Sequence, residues 1–570
     1  MSRFLGRHVP ALTLALLITA GVSVATAASA SPRWVATHTR ALRLKAPSLG
    51  LAPAGQRLEI SVALPLRDRA EINRLIADQV VLTPAQVTAR FGPTLGQVRA
   101  VETYLRSRGF KGLSVAGNRL LVTGYASVSQ AERAFHTKIA LYRLNGRSVY
   151  TNTAAAEVPA ALGNDVVAVL GLSDIPDGVD HPTQGSPNLN GFTPRAVQHA
   201  YDASKMKSGS SIPIAIIASG NLTSIIENLR YAEKQWRFPQ VPVQIIYDGP
   251  KAGIVTNNPL TGNAEWDLDT QESTMVAQSV KRLYIYDVAT FTDPEVARGI
   301  NMFVAQDHAR DLSASLGECD YIAWFDGAMV TTDESLAEGA LQGQSMFAST
   351  GDNGYACPEV ASTGLPEGPP GVSWPADGEY TAGVGGTTLF ADSNGNVIRE
   401  IAWIGGGGGV SPFETAAPWT LQANGAGQTW EFTNQGGRSV PDIAAVADPT
   451  TPVLIYTDHT KGTTPSGVGG TSVASPLTMG LWARVQAYHN ANGRGLAQYD
   501  FYEEYNEVNP ATVVNSALGP TYIPASNPKP VDGYRDIVLG TNGGCVAKPG
   551  YDYCTGIGSL LAQQRATDTR

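Results

Sequence analysis

The chain has 570 residues, 43% of them hydrophobic and only 16% charged, which is globular material for two or three domains. Its net charge of −9 leaves no basic excess to meet phosphates, which excludes nucleic acid as a main partner. Sixty glycines and 36 prolines predict many turns and loops.

Taken in chain order, residues 1–30 read as an export signal. Arg3, Arg7 and His8 precede a short apolar run, and Ala28-Ser29-Ala30 suits a signal peptidase. No other segment is long and apolar enough to predict a membrane span. Four cysteines in an exported chain predict two disulfides. Cys545 and Cys554 close a short loop and are paired on that ground, leaving Cys319 with Cys357, although three pairings are possible.

Residues 31–55 are polar and irregular, and 56–172 read as a compact α+β module. "LEISVALPL" alternates like a strand. Ile72, Leu75 and Ile76 share one helical face, as do Val98, Val101 and Leu105. "LSVAGNRLLVTG" predicts two strands about Gly117-Asn118, "VSQAERAFHTKI" a helix with Ala131, Ala134 and Phe135 inward, and "IALYRLNGRSVYTN" a hairpin. Residues 174–191, rich in proline and glycine, form an exposed linker, either a plain connector or a maturation site. From 192 to 570 the texture changes. Apolar runs such as "IPIAIIASG" and "SMFASTGDNG" alternate with helical stretches such as "SIIENLRYAEKQW", which predicts an α/β domain with a mostly parallel sheet and flanking helices.

In "PSGVGGTSVASP", Ser472 sits among small residues at the start of a helical stretch, a setting for a nucleophile or for an ordinary helix cap. None of the eight histidines has the His-Gly-Thr-His setting of a subtilisin, and His459 in "TDHTKG" reads as solvated. Carboxylates are better candidates. Glu265 and Asp269 lie four apart in "NAEWDLDTQ", on one face of a helix, and Asp352 follows an apolar strand between glycines. Each alone has a bland reading: an acidic helix start, or a turn cap.

Taken together, "EWDLDTQ", "STGDNG" and "GGTSVASP" in this order make the chain resemble the sedolisin family of serine-carboxyl peptidases. "SWPADGEYTAGVGGTTL" and "GRSVPDIAAVADP" extend the likeness over 192–560, and "LTPAQVTARFGP" resembles the family's activation propeptide. The resemblance implies a subtilisin-like catalytic domain over 192–570, preceded by a ferredoxin-like propeptide over 31–173. It implies that Ser472 attacks the peptide carbonyl, Glu265 is general base and acid, Asp269 orients Glu265, and protonated Asp352 faces the oxyanion. An acidic optimum follows, because ionised Asp352 would repel the oxyanion. Ala218 and Leu316 depart from relatives that carry an acidic and an aromatic residue there.

Asp536 and Asp552 bracket a glycine-rich loop, and hard oxygen ligands on a loop suit Ca²⁺. The resemblance implies one structural calcium ion held by those carboxylates and the carbonyls of Ile537, Lys548 and Gly550. It also implies a secreted or periplasmic monomer that cuts proteins or peptides, with its own propeptide as inhibitor. Acid would release that propeptide by protonating carboxylates at the contact. Tripeptidyl exopeptidase activity and a catalytically dead binding module are the alternatives.

Overall fold

The computed structural model describes residues 33–42, 44–144, 146–175, 183–184, 191–249, 263–355, 371–424, 437–460, 464–490, 495–516 and 519–568. The expected export signal, most of the 174–191 linker and Cys357 lie outside the described residues.

The first module is built on β1 (Arg57–Ala63), α1 (Arg69–Ala77), α2 (Leu95–Ser107), β2 (Lys111–Val115), β3 (Leu121–Ser127), α3 (Val128–Ala134) and β4 (Ala168–Leu170). Its antiparallel sheet has the order β2-β3-β1-β4, the ferredoxin-like arrangement expected, and Ser48–Leu51 joins the 139–152 hairpin in a second sheet. Thr94 and Ser127 open α2 and α3 with capping boxes completed by Gln97 and Gln130. The two amphipathic helices read from the sequence bury different things. Val98, Val101 and Leu105 pack into the module's own core with Ile60, Val62 and Phe135, whereas Ile72, Leu75 and Ile76 join the core of the second domain.

The second domain holds an eight-stranded sheet. After β5 (Thr183–Gln184) come β6 (Gly209–Ser219), α4 (Thr223–Trp236), β7 (Val243–Tyr247), α5 (Ala264–Val276), β8 (Val280–Val288), α6 (Asp293–Gln306), β9 (Asp311–Ala314), α7 (Ala328–Leu341) and β10 (Ser345–Ser349). Then follow β11 (Thr381–Ala391), β12 (Val397–Ala402), β13 (Ile443–Val446), β14 (Val453–Ile455), β15 (Ser466–Gly469) and α8 (Thr471–Tyr488). The order is β7-β8-β6-β9-β10-β11-β12, with β13 also on β11. Every pair is parallel except β11–β12. The chain enters at β6, steps to β7, returns through β8, and then crosses to β9. Such a reversal opens a crevice beyond the carboxyl ends of the strands. Ile214 to Ala218 of β6 are fully buried, as a continuous apolar run in a covered parallel sheet should be.

The first module rests on α7 and its neighbours. Leu66 N–H donates to Glu334 Oε2 (2.7 Å), Leu82 N–H to the Leu341 carbonyl (2.7 Å), and the Tyr380 hydroxyl to Asn73 Oδ1 (2.6 Å). The turn between β2 and β3 brings buried Asn118 against Asn301 of α6 (2.8 Å). Arg69 reaches Glu334 (3.5 Å) and Glu379 (3.2 Å). Part of the linker is held too: β5 pairs antiparallel with β15, Thr183 opposite Gly469 and Gln184 opposite Val468. Among the described residues no helix is long and apolar enough to cross a membrane.

Candidate active site

The site forms where two helices begin. Asn263 caps α5 by accepting the Glu265 N–H (3.1 Å), which fixes Glu265 in the first turn and Asp269 one turn on. That helix is not a solvated acidic face. Glu265, Asp269 and Ser472 are all 0% exposed, and every residue of α5 from Glu265 to Val276 is buried. A polar helix survives in a core only if its side chains are satisfied. Here Thr270, Ser273 and Thr274 bond back to carbonyls of their own helix, and Gln271 exchanges two hydrogen bonds with the Tyr456 backbone.

Helix α8 lies against α5 at Gly480. A Cβ there would come within 2.8 Å of the Ser273 carbonyl oxygen. This close approach lets both helices direct their first turns to one place. Ser472 occupies the first turn of α8, and its buried Oγ makes no hydrogen bond among the described residues. Ser315, just beyond β9, lies between the helices. Its Oγ is 2.6 Å from Asp269 Oδ1 and 3.2 Å from the Ser472 carbonyl oxygen. Asp269 Oδ2 is buried and has no hydrogen bond among the described residues. Burial holds the Asp269 carboxyl well above the usual carboxylate range, and the Ser315 hydrogen bond opposes that shift.

Asp352 follows β10 and reaches the same helix start from the other side. Its Oδ1 accepts the Thr471 N–H (2.6 Å) and the Thr471 hydroxyl (2.9 Å). Oδ2 lies beside Gly470, where a Cβ would stand 2.5 Å from it. Gly470 has φ +118°, so glycine is required here both for conformation and for room. Because Oδ1 accepts twice, a proton on this carboxyl belongs on Oδ2. Burial raises its pKa, against the two hydrogen bonds from Thr471. Asp352 and Gly351 line a small cleft with Tyr355, Ser373 and Gly408.

The four residues singled out from sequence therefore sit on two helix starts and one strand end that converge. His459 does not join them; its side chain is 31% exposed, in line with the solvated reading. Its Nδ1 is 2.9 Å from Asn228 Oδ1, and Asn228 in turn donates to Asp267, which points off another side of α5. The sequence reading passed over Ser315. The signal available was the spacing of Ser313 and Ser315, which puts two hydroxyls on one strand face. Ser313 Oγ lies 2.9 Å from Ser475 Oγ on α8. Ala218 and Leu316 are both fully buried and apolar.

The second constellation is also assembled. Asp536 Oδ2 accepts the Gly550 N–H (3.0 Å), and Asp552 accepts N–H groups from Lys548, Cys554 and Thr555. Ile537, next to Asp536, is buried. Asp536 Oδ1 is buried with no hydrogen bond among the described residues, the kind of oxygen a cation would take up. Burial raises both carboxyls, Asp552 to about 6, which a bound cation would reverse. The residues thus fit an oxygen-ligated ion. Cys545 and Cys554 also approach Asp552, but they form the expected disulfide and offer no thiolate. Cys319 is disulfide-bonded as well.

Comparison with known proteins gives consistent matches. Residues 45–175 match the family described as Pro-kumamolisin, activation domain. Sedolisin of Pseudomonas sp. (strain 101) is 33% identical over 583 residues, spanning 94% of this chain and 92% of that protein. Xanthomonalisin of Xanthomonas sp. (strain T-22) is 30% identical, over 91% of this chain and 66% of that protein. The solved structure of Pseudomonas sedolisin, a serine-carboxyl proteinase complexed with two molecules of pseudo-iodotyrostatin, aligns with a TM-score of 0.55 at 28% identity. It covers 66% of this chain and 97% of its own.

Proposed function

This chain belongs to the sedolisin family of serine-carboxyl peptidases and carries its activation domain, and from that premise we propose an exported, acid-acting endopeptidase made as a zymogen. The observation that carries the proposal is the buried chain of contacts Asp269–Ser315–Ser472, with Asp352 on the adjoining Thr471. In this reading Ser472 Oγ attacks the peptide carbonyl while its proton passes to Glu265. Asp269, one turn along α5, holds the Glu265 carboxyl in line. The carbonyl oxygen becomes an oxyanion and receives a hydrogen bond from the proton on Asp352 Oδ2. Glu265 then returns its proton to the leaving amine, and water repeats the sequence in reverse to free the acyl product.

Endopeptidase activity is favoured by the pairing of β5 with β15. An interior stretch of chain, continuing in both directions, is accepted beside the strand that leads to Ser472. Export is supported by the Cys545–Cys554 disulfide. One structural Ca²⁺ would be held by the carboxylates of Asp536 and Asp552 and the carbonyls of Ile537, Lys548 and Gly550, bracing the loop without entering the chemistry.

Acid treatment of the purified precursor, beside Ser472→Ala, tests the proposal. Wild type should lose its first module within the 174–191 region and begin to cut a denatured protein. Ser472→Ala should stay intact and inactive. Activity retained by Ser472→Ala would overturn the reading.

A further inference from the structure

The geometry points to Ser315 as a positioning residue for this reaction: its single hydroxyl proton is shared between the Asp269 carboxyl and the Ser472 carbonyl, tying the acid–base pair to the helix that carries the nucleophile. The inference rests on the catalytic roles proposed above for Asp269 and Ser472.

Three observations converge on that hydroxyl. Ser315 Oγ is fully buried and within hydrogen-bond reach of both oxygens, at 2.6 and 3.2 Å. A hydroxyl has one hydrogen to donate, so it can satisfy one of the two at a time. Second, the Ser472 carbonyl needs an outside donor. In a regular helix it would receive the N–H of the residue four places on, but that residue is Pro476, which has none. Third, Asp269 Oδ2 is left without a hydrogen bond among the described residues. Ser315 therefore occupies one carboxyl oxygen and reserves the other for Glu265.

The arrangement has two self-consistent states. With Asp269 ionised, Ser315 donates to Oδ1. With a proton on Oδ1, Asp269 donates to Ser315 Oγ, and Ser315 turns its own hydrogen to the Ser472 carbonyl. No atom moves by more than a hydroxyl rotation, and the proton count changes only at Asp269. The Ser313–Ser475 contact, two residues earlier on the same strand face and one turn further along α8, keeps strand and helix in register for this exchange.

Few other groups compete for control of Asp269. Glu265, Asp267 and Glu272 share its helix. On the strands, Asp287 accepts from Gly220 N–H and Asp311 from Gln486. On α8, Arg484 is turned to the Val276, Met206 and Lys207 carbonyls at the far end. On α4, Arg230 pairs with Glu233, and Glu227 faces His459. On the helix Pro194–Ala200, Arg195 donates to the Arg237 carbonyl and His199 contacts Asn396. No cation among these is directed at Asp269.

The test compares Ser315→Ala, Ser315→Thr and Asp269→Asn with wild type. Each precursor is matured by a tagged wild-type enzyme that is then removed, and thermal unfolding confirms that each is folded. Losing the donor favours the protonated form of Asp269. The acid limb of the Ser315→Ala pH–kcat profile should therefore move up by about half a unit to one unit. Its kcat should fall roughly tenfold, the scale of one lost hydrogen bond. The alkaline limb, assigned to Asp352, should stay in place, and Ser315→Thr should restore the acid limb. An unmoved acid limb in a folded Ser315→Ala, or Ala and Thr behaving alike, overturns the inference. Substantial activity in Asp269→Asn would instead overturn the catalytic reading beneath it.

Discussion

At the propeptide contact Arg69 lies between Glu334 and Glu379, with Asp333 beside it and Glu338 near Asn118. At the serine site Glu265, Asp269 and Asp352 are as tightly enclosed, yet hydroxyl and amide donors, not a cation, meet Asp269 and Asp352. Both regions gather acid groups out of water, and in both burial wins. Even Glu334 is held above its ordinary range, because burial outweighs the pull of Arg69, while Asp333 is pushed up to about 7 and Glu338 to about 8. Raised carboxyls of this kind set how the stability of the folded precursor varies with pH. A carboxyl whose pKa is raised in the docked fold stabilises that fold while it holds its proton, and loses the contribution as pH rises through the raised value. Acid therefore stabilises the folded precursor against unfolding. In the proposed mechanism acid also favours the serine site, where Asp352 carries the proton it donates.

The largest expected effect is on stability across pH. Asp267, Glu272 and Asp311 are pushed up to about 8 by burial, and Asp287 and Asp320 to about 7. The native state thus binds more protons than the unfolded chain between the ordinary carboxylate range and pH 8. The melting temperature of the Ser472→Ala precursor should be highest in acid and fall steadily toward pH 8. A precursor that grows more stable as pH rises would break the comparison in both regions. Next in size is the oxyanion group. Asp352→Ala should cost about 10²–10³ in kcat, and Asp352→Asn, whose amide donates at any pH, should lose the alkaline limb of the kcat/KM profile. Calcium at a hundred times its dissociation constant should add about 2.7 kcal/mol to stability, visible as a chelator-sensitive shift in melting that Asp536→Asn removes. The smallest effect belongs to Arg69. Its side chain is 32% exposed, so screening limits Arg69→Ala to about 1 kcal/mol in the melting of the Ser472→Ala precursor. That loss should be greater at pH 7 than at pH 4, where Glu334 already carries a proton.

Much of this was legible in the sequence, and what was hidden has a common cause. Ser472 and Asp352 stand out because glycine and small residues crowd them, and Gly470 shows why: its φ and the nearby Asp352 Oδ2 leave no room for a side chain. The spacing of Glu265 and Asp269 gave their shared helix face but not their burial, since α5 has polar residues all around and no apolar stripe. The periodicity of Ile72, Leu75 and Ile76 announced an apolar face without naming its partner, which lies in the other domain. Ser315 was least visible. Its meaning depends on Asp269, 46 positions away, and on a proline in a third segment, and no local pattern joins the three.

The short pairing of Thr183–Gln184 with β15 meets one of two fates at the cut that removes the propeptide. A cut before Thr183 leaves the pair attached to the catalytic domain by fewer than ten residues, because Phe192 is fastened to β14 through Pro452 and Leu454. Such a tether keeps the strand at an effective concentration in the millimolar range, and a substrate would have to displace it to use that edge. A cut after Gln184 sends the pair away with the released module and leaves the β15 edge open. The N-terminal sequence of the mature enzyme therefore states whether it starts life with its groove partly filled by its own chain.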